Sequence, residues 1–120
     1  MTALDQTLAA LSDPTRRGVI ELLRRRPHRA GELAEALDMS PPAMSRHLRV
    51  LRTYGLIEED HVGEDARVRV YRLRHEPFRD LRRWLDGVEQ FWARELESFA
   101  KHAERTRGPG ARGGREKRQP

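Results

Sequence analysis

The sequence predicts a mainly α-helical domain that carries one small β-hairpin, and three observations lead to this prediction. Apolar residues recur at three- and four-residue steps in several separate stretches, which is the period of a helix. Two runs of strand-forming residues, 56–62 and 67–73, flank a Gly-Glu-Asp turn. Proline and glycine stand at the ends of the helical stretches, where proline begins a helix and glycine ends one.

The first two helices are predicted over residues 2–11 and from Pro14 to the arginines before Pro27. Ser12 and Asp13 precede Pro14, and a capping residue before a first-turn proline is typical of a helix start. The apolar positions are Leu4, Leu8 and Leu11 in the first helix and Val19, Ile20, Leu22 and Leu23 in the second. We interpret Arg24, Arg25 and Arg26 as a solvated helix end, because cations stabilise the carboxyl end of a helix dipole.

A helix-turn-helix is predicted over residues 30–54. Residues 30–37 form its short first helix, and Asp38 and Met39 leave only a tight link before the second. Ser40 is a good N-cap, Pro41 occupies the first helical position, and Gly55 is a natural stop. The apolar stripe of the second helix consists of Met44, Leu48 and Leu51. Two helices joined by so short a turn make this motif.

The opposite face of the second helix is the candidate DNA-reading surface. Its residues are Pro42, Ser45, Arg46, Arg49 and Thr53, with Arg52 at the margin. The face contains no carboxylate, and its small N-terminal residues allow a close approach of the backbone to another surface. Such a face suits the major groove of DNA, where arginines contact base edges and phosphates. The alternative is an ordinary solvated helix face, which is what most exposed charge runs are.

A β-hairpin wing is predicted over residues 56–73. We expect Tyr71 and Leu73 to be buried at its base, with Val68 and Val70 facing out or pairing. Arg67 and Arg69 then lie near the tip and reach phosphate or the minor groove, or they simply keep an exposed hairpin soluble. The acidic turn residues Glu64 and Asp65 argue against deep insertion of the tip into DNA.

The last helix is predicted from Pro77 to about residue 105, and its long apolar ridge indicates an interface. A domain of this size cannot cover the whole ridge, so we expect a twofold dimer in which the first and last helices pair with their copies. The predicted dimer residues are Leu4, Leu8, Leu11, Leu81, Leu85, Val88, Trp92, Leu96 and Phe99. The alternatives are an intrachain core or a small-molecule pocket lined by Trp84, Phe91 and Trp92.

Composition limits the remaining possibilities. The chain has 24 basic and 19 acidic residues, but residues 105–120 hold six of the basic residues and one acid, so residues 1–104 carry eighteen of each. Any DNA affinity therefore depends on local arginines, and residues 106–120 read as a disordered basic tail. The absence of cysteine excludes disulfides and thiolate metal sites. With no apolar run near the roughly 20 residues of a membrane span, and no signal-peptide pattern, we expect a cytoplasmic protein.

Four segments together resemble the ArsR/SmtB-type winged-helix repressors. The segments are Leu11-Ser-Asp-Pro-Thr-Arg16, Glu32-Leu-Ala-Glu-Ala-Leu37, Ser45-Arg-His-Leu-Arg-Val-Leu51 and Gly55-Leu56-Ile57. The resemblance covers about residues 4–104. It implies a winged helix-turn-helix homodimer that regulates bacterial transcription, with two recognition helices in successive major grooves about 34 to 36 Å apart on an imperfect palindrome. It also implies DNA contacts from Ser40, Pro42, Ala43, Ser45, Arg46 and Arg49, with Arg67 and Arg69 serving the wing.

The metal-binding residues of that family are missing from this chain. Thiolate-sensing relatives have cysteines in the third helix, where this chain has Ala34 and Ala36. Zinc-binding relatives have an Asp-x-His pair on the last helix, where Asp80 is followed two residues later by Arg82. Since a zinc site needs three or four nitrogen, sulfur or oxygen ligands, we expect no metal and no other cofactor. His47 flanks the apolar stripe, which favours packing or a backbone hydrogen bond over base contact. The inducer cannot be inferred from the residues.

Three classes of function remain for comparison. A DNA-binding repressor predicts binding that depends on Arg46 and Arg49. A winged-helix module for protein or RNA contacts would depend on the last helix instead. A variant of the first class is a repressor that responds to a small organic ligand and holds it near the dimer helices. An enzyme fits poorly, because the chain shows no Ser-His-Asp arrangement, glycine-rich phosphate loop or paired-carboxylate site.

Overall fold

The computed structural model describes residues 1–64 and 67–107, and within them it has five helices and a two-stranded antiparallel sheet. The elements are α1 (Ala3–Ala10), α2 (Pro14–Leu23), α3 (Ala30–Ala36), α4 (Pro41–Thr53), β1 (Ile57–His61), β2 (Arg69–Leu73) and α5 (His75–Arg107). Asp65 of the expected acidic turn and residues 108–120 of the expected disordered tail lie outside the described residues. The mainly helical fold with one β-hairpin is as predicted.

The chain forms two units, residues 1–82 and residues 83–120. The first unit contains the hydrophobic core, to which α1 to α4 and both strands contribute. Its buried members are Ala10, Val19, Leu23, Leu33, Ala34, Met44, Leu48, Leu51, Leu56, Ile57 and Tyr71. The apolar stripe predicted for α4 is buried in full, so the opposite face of that helix is directed outward. In the second unit, residues 83–107 continue α5.

Two turns of the same kind precede and follow α4. After α3, the N–H of Asp38 donates to Glu35 O at 3.2 Å and that of Met39 donates to Ala34 O at 2.9 Å. After α4, the N–H of Gly55 donates to Arg52 O at 3.0 Å, and the chain then enters β1. Asp38 and Gly55 have φ values of 52° and 82°, in the left-handed region that glycine and, less often, aspartate adopt. These turns set where α4 begins and ends.

The hairpin is held from both sides of β2. In the antiparallel register Ile57 lies opposite Leu73 and Glu59 lies opposite Tyr71. On the other edge, the N–H of Tyr71 donates to His28 O at 2.8 Å and that of His28 donates to Tyr71 O at 3.2 Å. Tyr71 is buried, as predicted, whereas Leu73, for which burial was also predicted, is only half-buried. Burial raises the pKa of the Tyr71 phenol. The base of the wing is therefore part of the core.

Several predicted element ends are wrong by a few residues. The last helix begins at His75, two residues before Pro77, because the first N–H groups of a helix have no partner and proline costs no bond there. It continues to Arg107, so the first two residues of the expected tail are helical. Helix α2 ends at Leu23, before the arginine run, where the N–H of Arg25 donates to Leu22 O at 3.2 Å in a tightened last turn. The strands are shorter than the runs that predicted them.

Candidate nucleic-acid interface

The outward face of α4 is the centre of the candidate interface. Ser40 caps the helix, since its hydroxyl accepts a hydrogen bond from the Ala43 N–H at 3.3 Å, and Pro41 begins the first turn. The residues predicted to contact DNA are exposed, except for the half-buried Ala43: Ser40, Pro42, Ser45, Arg46, Arg49 and Arg52. The structure therefore brings these residues together on one accessible helix surface.

Arg46 and Arg49 differ from the other arginines of this surface. Within residues 1–64 and 67–107, neither guanidinium forms an ion pair or a side-chain hydrogen bond. Arg52, by contrast, places Nη1 3.5 Å from Oε1 of Glu59 on β1. Arg46 and Arg49 thus present all their donors to solvent, where each can bind a phosphate or a guanine edge.

The wing places its two predicted arginines at exposed positions. Arg67 lies in the turn region and Arg69 begins β2. Arg69 donates from Nη1 to Oε2 of Glu59 at 3.2 Å, so Glu59 contacts one arginine of the recognition helix and one of the wing. Glu59 was not among the residues predicted for the site. Strand alternation would have shown it, because Glu59 follows the buried Ile57 by two residues and so lies on the same face.

His47 contacts side chains at the start of α2 from the recognition helix α4. Its side chain is 21% exposed, and Nδ1 lies 3.9 Å from Oδ2 of Asp13 and 3.5 Å from Nη1 of Arg16. Arg16 in turn donates from Nε to Ala10 O at 2.8 Å. These contacts of His47 are with side chains and not with the backbone, and they connect α4 to the start of α2 and, through Arg16, to the end of α1.

The carboxylate of Asp13 is the N-cap of α2, and its pKa is lowered. The main cause is the hydrogen bond that it accepts from the Arg16 N–H at 3.0 Å, and the charges of His47 and Arg16 act in the same direction. Hydrogen bonds and cations both favour the ionised form of a carboxyl group. The cap of α2 is therefore a charged group beneath the recognition helix.

This lowered pKa predicts a pH-dependent contribution to stability. Asp13→Asn keeps a capping side chain but removes its charge. Because the folded pKa lies below the unfolded value, the charge contributes fully above the unfolded pKa of about 3.9 and its contribution is lost as pH falls through the folded value. We expect urea unfolding at pH 7 to show the variant about 0.3 to 1 kcal/mol less stable, with the difference shrinking below pH 4. A difference independent of pH would contradict this assignment.

The ridge predicted on α5 is exposed over residues 83–107. The exposed large apolar side chains are Trp84, Leu85, Val88, Phe91, Trp92, Leu96 and Phe99. Phe91 and Trp92 meet edge to face, with ring centroids 6.2 Å apart. Trp84 and Phe91 also line a shallow groove with Arg83, Gly87 and Val88, whereas Trp92 does not line it. The pocket considered as an alternative for these three aromatic residues is thus an open surface groove that only two of them line.

The remaining predicted dimer residues belong to the first unit. Leu8 is exposed, whereas Leu4, Leu11 and Leu81 are half-buried, and Leu11 packs against the core of its own chain.

Over residues 1–64 and 67–107, no three His, Cys, Asp or Glu side chains converge as a cation site. In that same part of the chain, no helix combines the length and hydropathy that crossing a bilayer requires.

Comparison with known proteins identifies relatives of this chain. Residues 13–59 match the family described as "Bacterial regulatory protein, arsR family". The HTH-type transcriptional regulator Rv2034 of Mycobacterium tuberculosis is 41% identical over 96 residues, which cover 80% of this chain and 84% of that protein. The family match spans α2, α3 and α4 and ends within β1.

Solved structures have the same fold. An ArsR-like transcriptional regulator from Rhodococcus sp. RHA1 is similar with a TM-score of 0.71 and 33% identity, covering 85% of this chain and 93% of that one. The homodimeric winged helix-turn-helix DNA-binding domain of Mb0332 from Mycobacterium bovis, described as a possible ArsR-family regulator, is similar with a TM-score of 0.56. Its identity is 25%, and the match covers 80% of this chain and 83% of that domain.

Proposed function

The chain belongs to the arsR family of bacterial regulatory proteins, and from this we propose that it represses transcription as a homodimer bound to an imperfect palindromic operator. It is a winged helix-turn-helix transcriptional regulator and not an enzyme. Regulators of this family bind DNA and form homodimers. A bound dimer represses by occupying DNA that the polymerase needs.

The observation that carries this proposal is that two exposed arginines of α4 have no ion-pair partner within residues 1–64 and 67–107. Arg46 and Arg49 lie on the outward face of a helix whose other face is fixed in the core by Met44, Leu48 and Leu51. Such a helix can enter the major groove without losing any internal contact. Arg46 and Arg49 then contribute contacts to bases or phosphates, while Ser40, Pro42 and Ser45 allow the helix N-terminus to approach the backbone.

Two features support a dimer built from the terminal helices. The apolar ridge from Trp84 to Phe99 is exposed in the single chain, and exposed patches of this size are typical of protein interfaces. The Mb0332 domain, which is similar in fold, is a homodimer. A twofold dimer formed through α5 would carry two copies of the recognition helix α4, one for each half of a palindromic operator.

We further propose that this regulator does not sense a metal. The positions that carry metal ligands in its relatives hold Ala34, Ala36 and Arg82, none of which supplies a donor for zinc. Any inducer must instead bind more tightly to a dimer geometry in which the recognition helices no longer match the groove spacing.

Binding to the DNA upstream of its own gene tests the proposed function. Labelled 30-base-pair duplexes that tile this region are titrated with protein, and shuffled versions of the same duplexes are the controls. We expect at least one duplex to bind about 1,000-fold or more tightly than its shuffled copy, as specific regulators do. Equal affinity for every duplex, or binding only to RNA or protein, would contradict the proposal.

A further inference from the structure

Glu59 is an acidic residue on the inner face of the wing. In the antiparallel register it lies opposite the buried Tyr71 and two residues after the buried Ile57, so the three share one face of the hairpin. Its side chain is only 17% exposed. A carboxylate with so little exposure to water is stabilised by cations or hydrogen-bond donors near it.

Two arginines from two different elements supply these cations. Arg52 from the last turn of α4 places Nη1 3.5 Å from Oε1, and Arg69 from β2 donates from Nη1 to Oε2 at 3.2 Å. Each oxygen of the carboxylate therefore contacts one guanidinium. Arg52 and Arg69 are still 49% and 60% exposed, so donors of both remain accessible from outside. The carboxylate thereby bridges the recognition helix and the wing.

This arrangement divides the arginines of the candidate interface into two classes. Arg46 and Arg49 have no carboxylate partner among residues 1–64 and 67–107. Arg52 and Arg69 share one, and a DNA phosphate must compete with it for the same guanidinium groups. A phosphate in an arbitrary position gains little binding energy from these two arginines, because it must first displace Glu59 from them. A phosphate that the operator places beside their accessible donors can bind while both ion pairs with Glu59 stay intact.

We propose that Glu59 determines specificity by holding Arg52 and Arg69 against the protein, so that they contact phosphates on a matched operator and not on arbitrary DNA. The inference rests on the proposed function, since it concerns how the same surface distinguishes DNA sequences. Glu59 acts through the two arginines and is therefore a positioning residue.

The salt dependence of binding to arbitrary DNA gives this proposal a measurable consequence. Each phosphate contact contributes about −0.9 to the slope of log affinity against log salt concentration. In the Glu59→Gln variant, release of Arg52 and Arg69 should make that slope steeper by about 1 to 2 for each chain that touches the duplex. The affinity for arbitrary DNA at 100 mM NaCl should rise about 10-fold.

Glu58→Gln is the matched control. Glu58 is the neighbouring residue on β1, lies on the other face of the hairpin and pairs with Arg72 at 3.8 Å. Both variants remove one negative charge, so a general effect of net charge would be equal in the two. The probe is a 24-base-pair duplex of random sequence, titrated by fluorescence anisotropy between 50 and 200 mM NaCl with full-length protein.

The expected result is a steeper slope and tighter random-duplex binding for Glu59→Gln, with a much smaller change for Glu58→Gln. Equal changes in both variants, or no change in Glu59→Gln, would overturn the proposal. If wild-type protein shows no preference for any upstream duplex, it is the proposed function that fails.

Arg69→Gln tests the same inference without removing the Glu59 carboxylate, so it does not depend on whether the Glu59→Gln variant folds. If the ion pair with Glu59 keeps Arg69 from contacting phosphates of arbitrary DNA, this variant should bind the random duplex within about 2-fold of wild type. Arg49→Gln should instead weaken binding to the same duplex about 5- to 10-fold. Losses of equal size in the two variants would show that Arg69 is not withheld and would overturn the proposal.

Discussion

Replacing both Arg46 and Arg49 with alanine is expected to weaken operator binding strongly while leaving the fold intact. Both side chains are exposed and make no ion pair within residues 1–64 and 67–107, so their removal costs the core nothing. An arginine that contacts a base contributes about 1 to 3 kcal/mol, so the two together should weaken binding about 30- to 20,000-fold. Titration of the upstream duplex, with thermal unfolding as a check on the fold, measures both effects.

A second pair of arginines provides the control for charge. Arg24 and Arg25 are also exposed, and their replacement by alanine changes the net charge by the same amount. They follow α2 and are not part of the α4 surface. We expect this variant to bind the operator within about 3-fold of wild type, because screening at physiological salt limits the reach of surface charges to roughly 8 Å. If the control loses as much affinity as Arg46→Ala with Arg49→Ala, α4 is not the reading surface.

The combination of Trp92→Glu with Leu96→Glu is expected to separate the dimer into single chains. Both residues lie on the exposed ridge of α5, at 56% and 63% exposure, outside the core of residues 1–82. In a twofold interface each new carboxylate is repeated on the partner, so burial and repulsion both oppose pairing. Light scattering should give twice the 14.0 kDa chain mass for wild type and the single mass for the variant.

The affinity for the operator should fall when the dimer dissociates into single chains. A single chain reads one half-site only, and losing a linked second contact costs about 100- to 10,000-fold in affinity. Gln90→Glu with Ala93→Glu is the control, since it adds the same charge on the side of the helix away from the ridge. A dimeric Trp92→Glu, Leu96→Glu variant would show that α5 does not form the interface.

The sequence predicted those features that depend on short-range patterns. The cap at Ser40, the proline at the first position and the three-residue stripe were enough to place α4, because capping and helical period act within one or two turns. The stop at Gly55 was equally local, since a positive φ there favours glycine. For the same reason, the exposed arginines of the candidate site could be identified before their surroundings were known.

The features that the sequence did not reveal depend on contacts between distant segments. His28 bonds to Tyr71 across more than forty residues, and no local pattern marks a lone residue that pairs with a strand edge. The pairing of Glu59 with Arg52 and Arg69 requires the relative position of α4 and the hairpin, which only the folded core sets. The true start of α5 at His75 was hidden because a first-turn proline is compatible with several starting positions.

Hydroxyl-radical footprinting of the DNA upstream of the gene tests the central claim most directly, because it measures how many recognition helices bind and how far apart. A homodimer that reads a palindrome should give two protected patches on one face of the duplex, separated by about 10 to 10.5 base pairs or a multiple of that spacing. Two recognition helices about 34 to 36 Å apart require this spacing. A single protected patch, or protection that is uniform along the DNA, would contradict a homodimer that reads a palindrome.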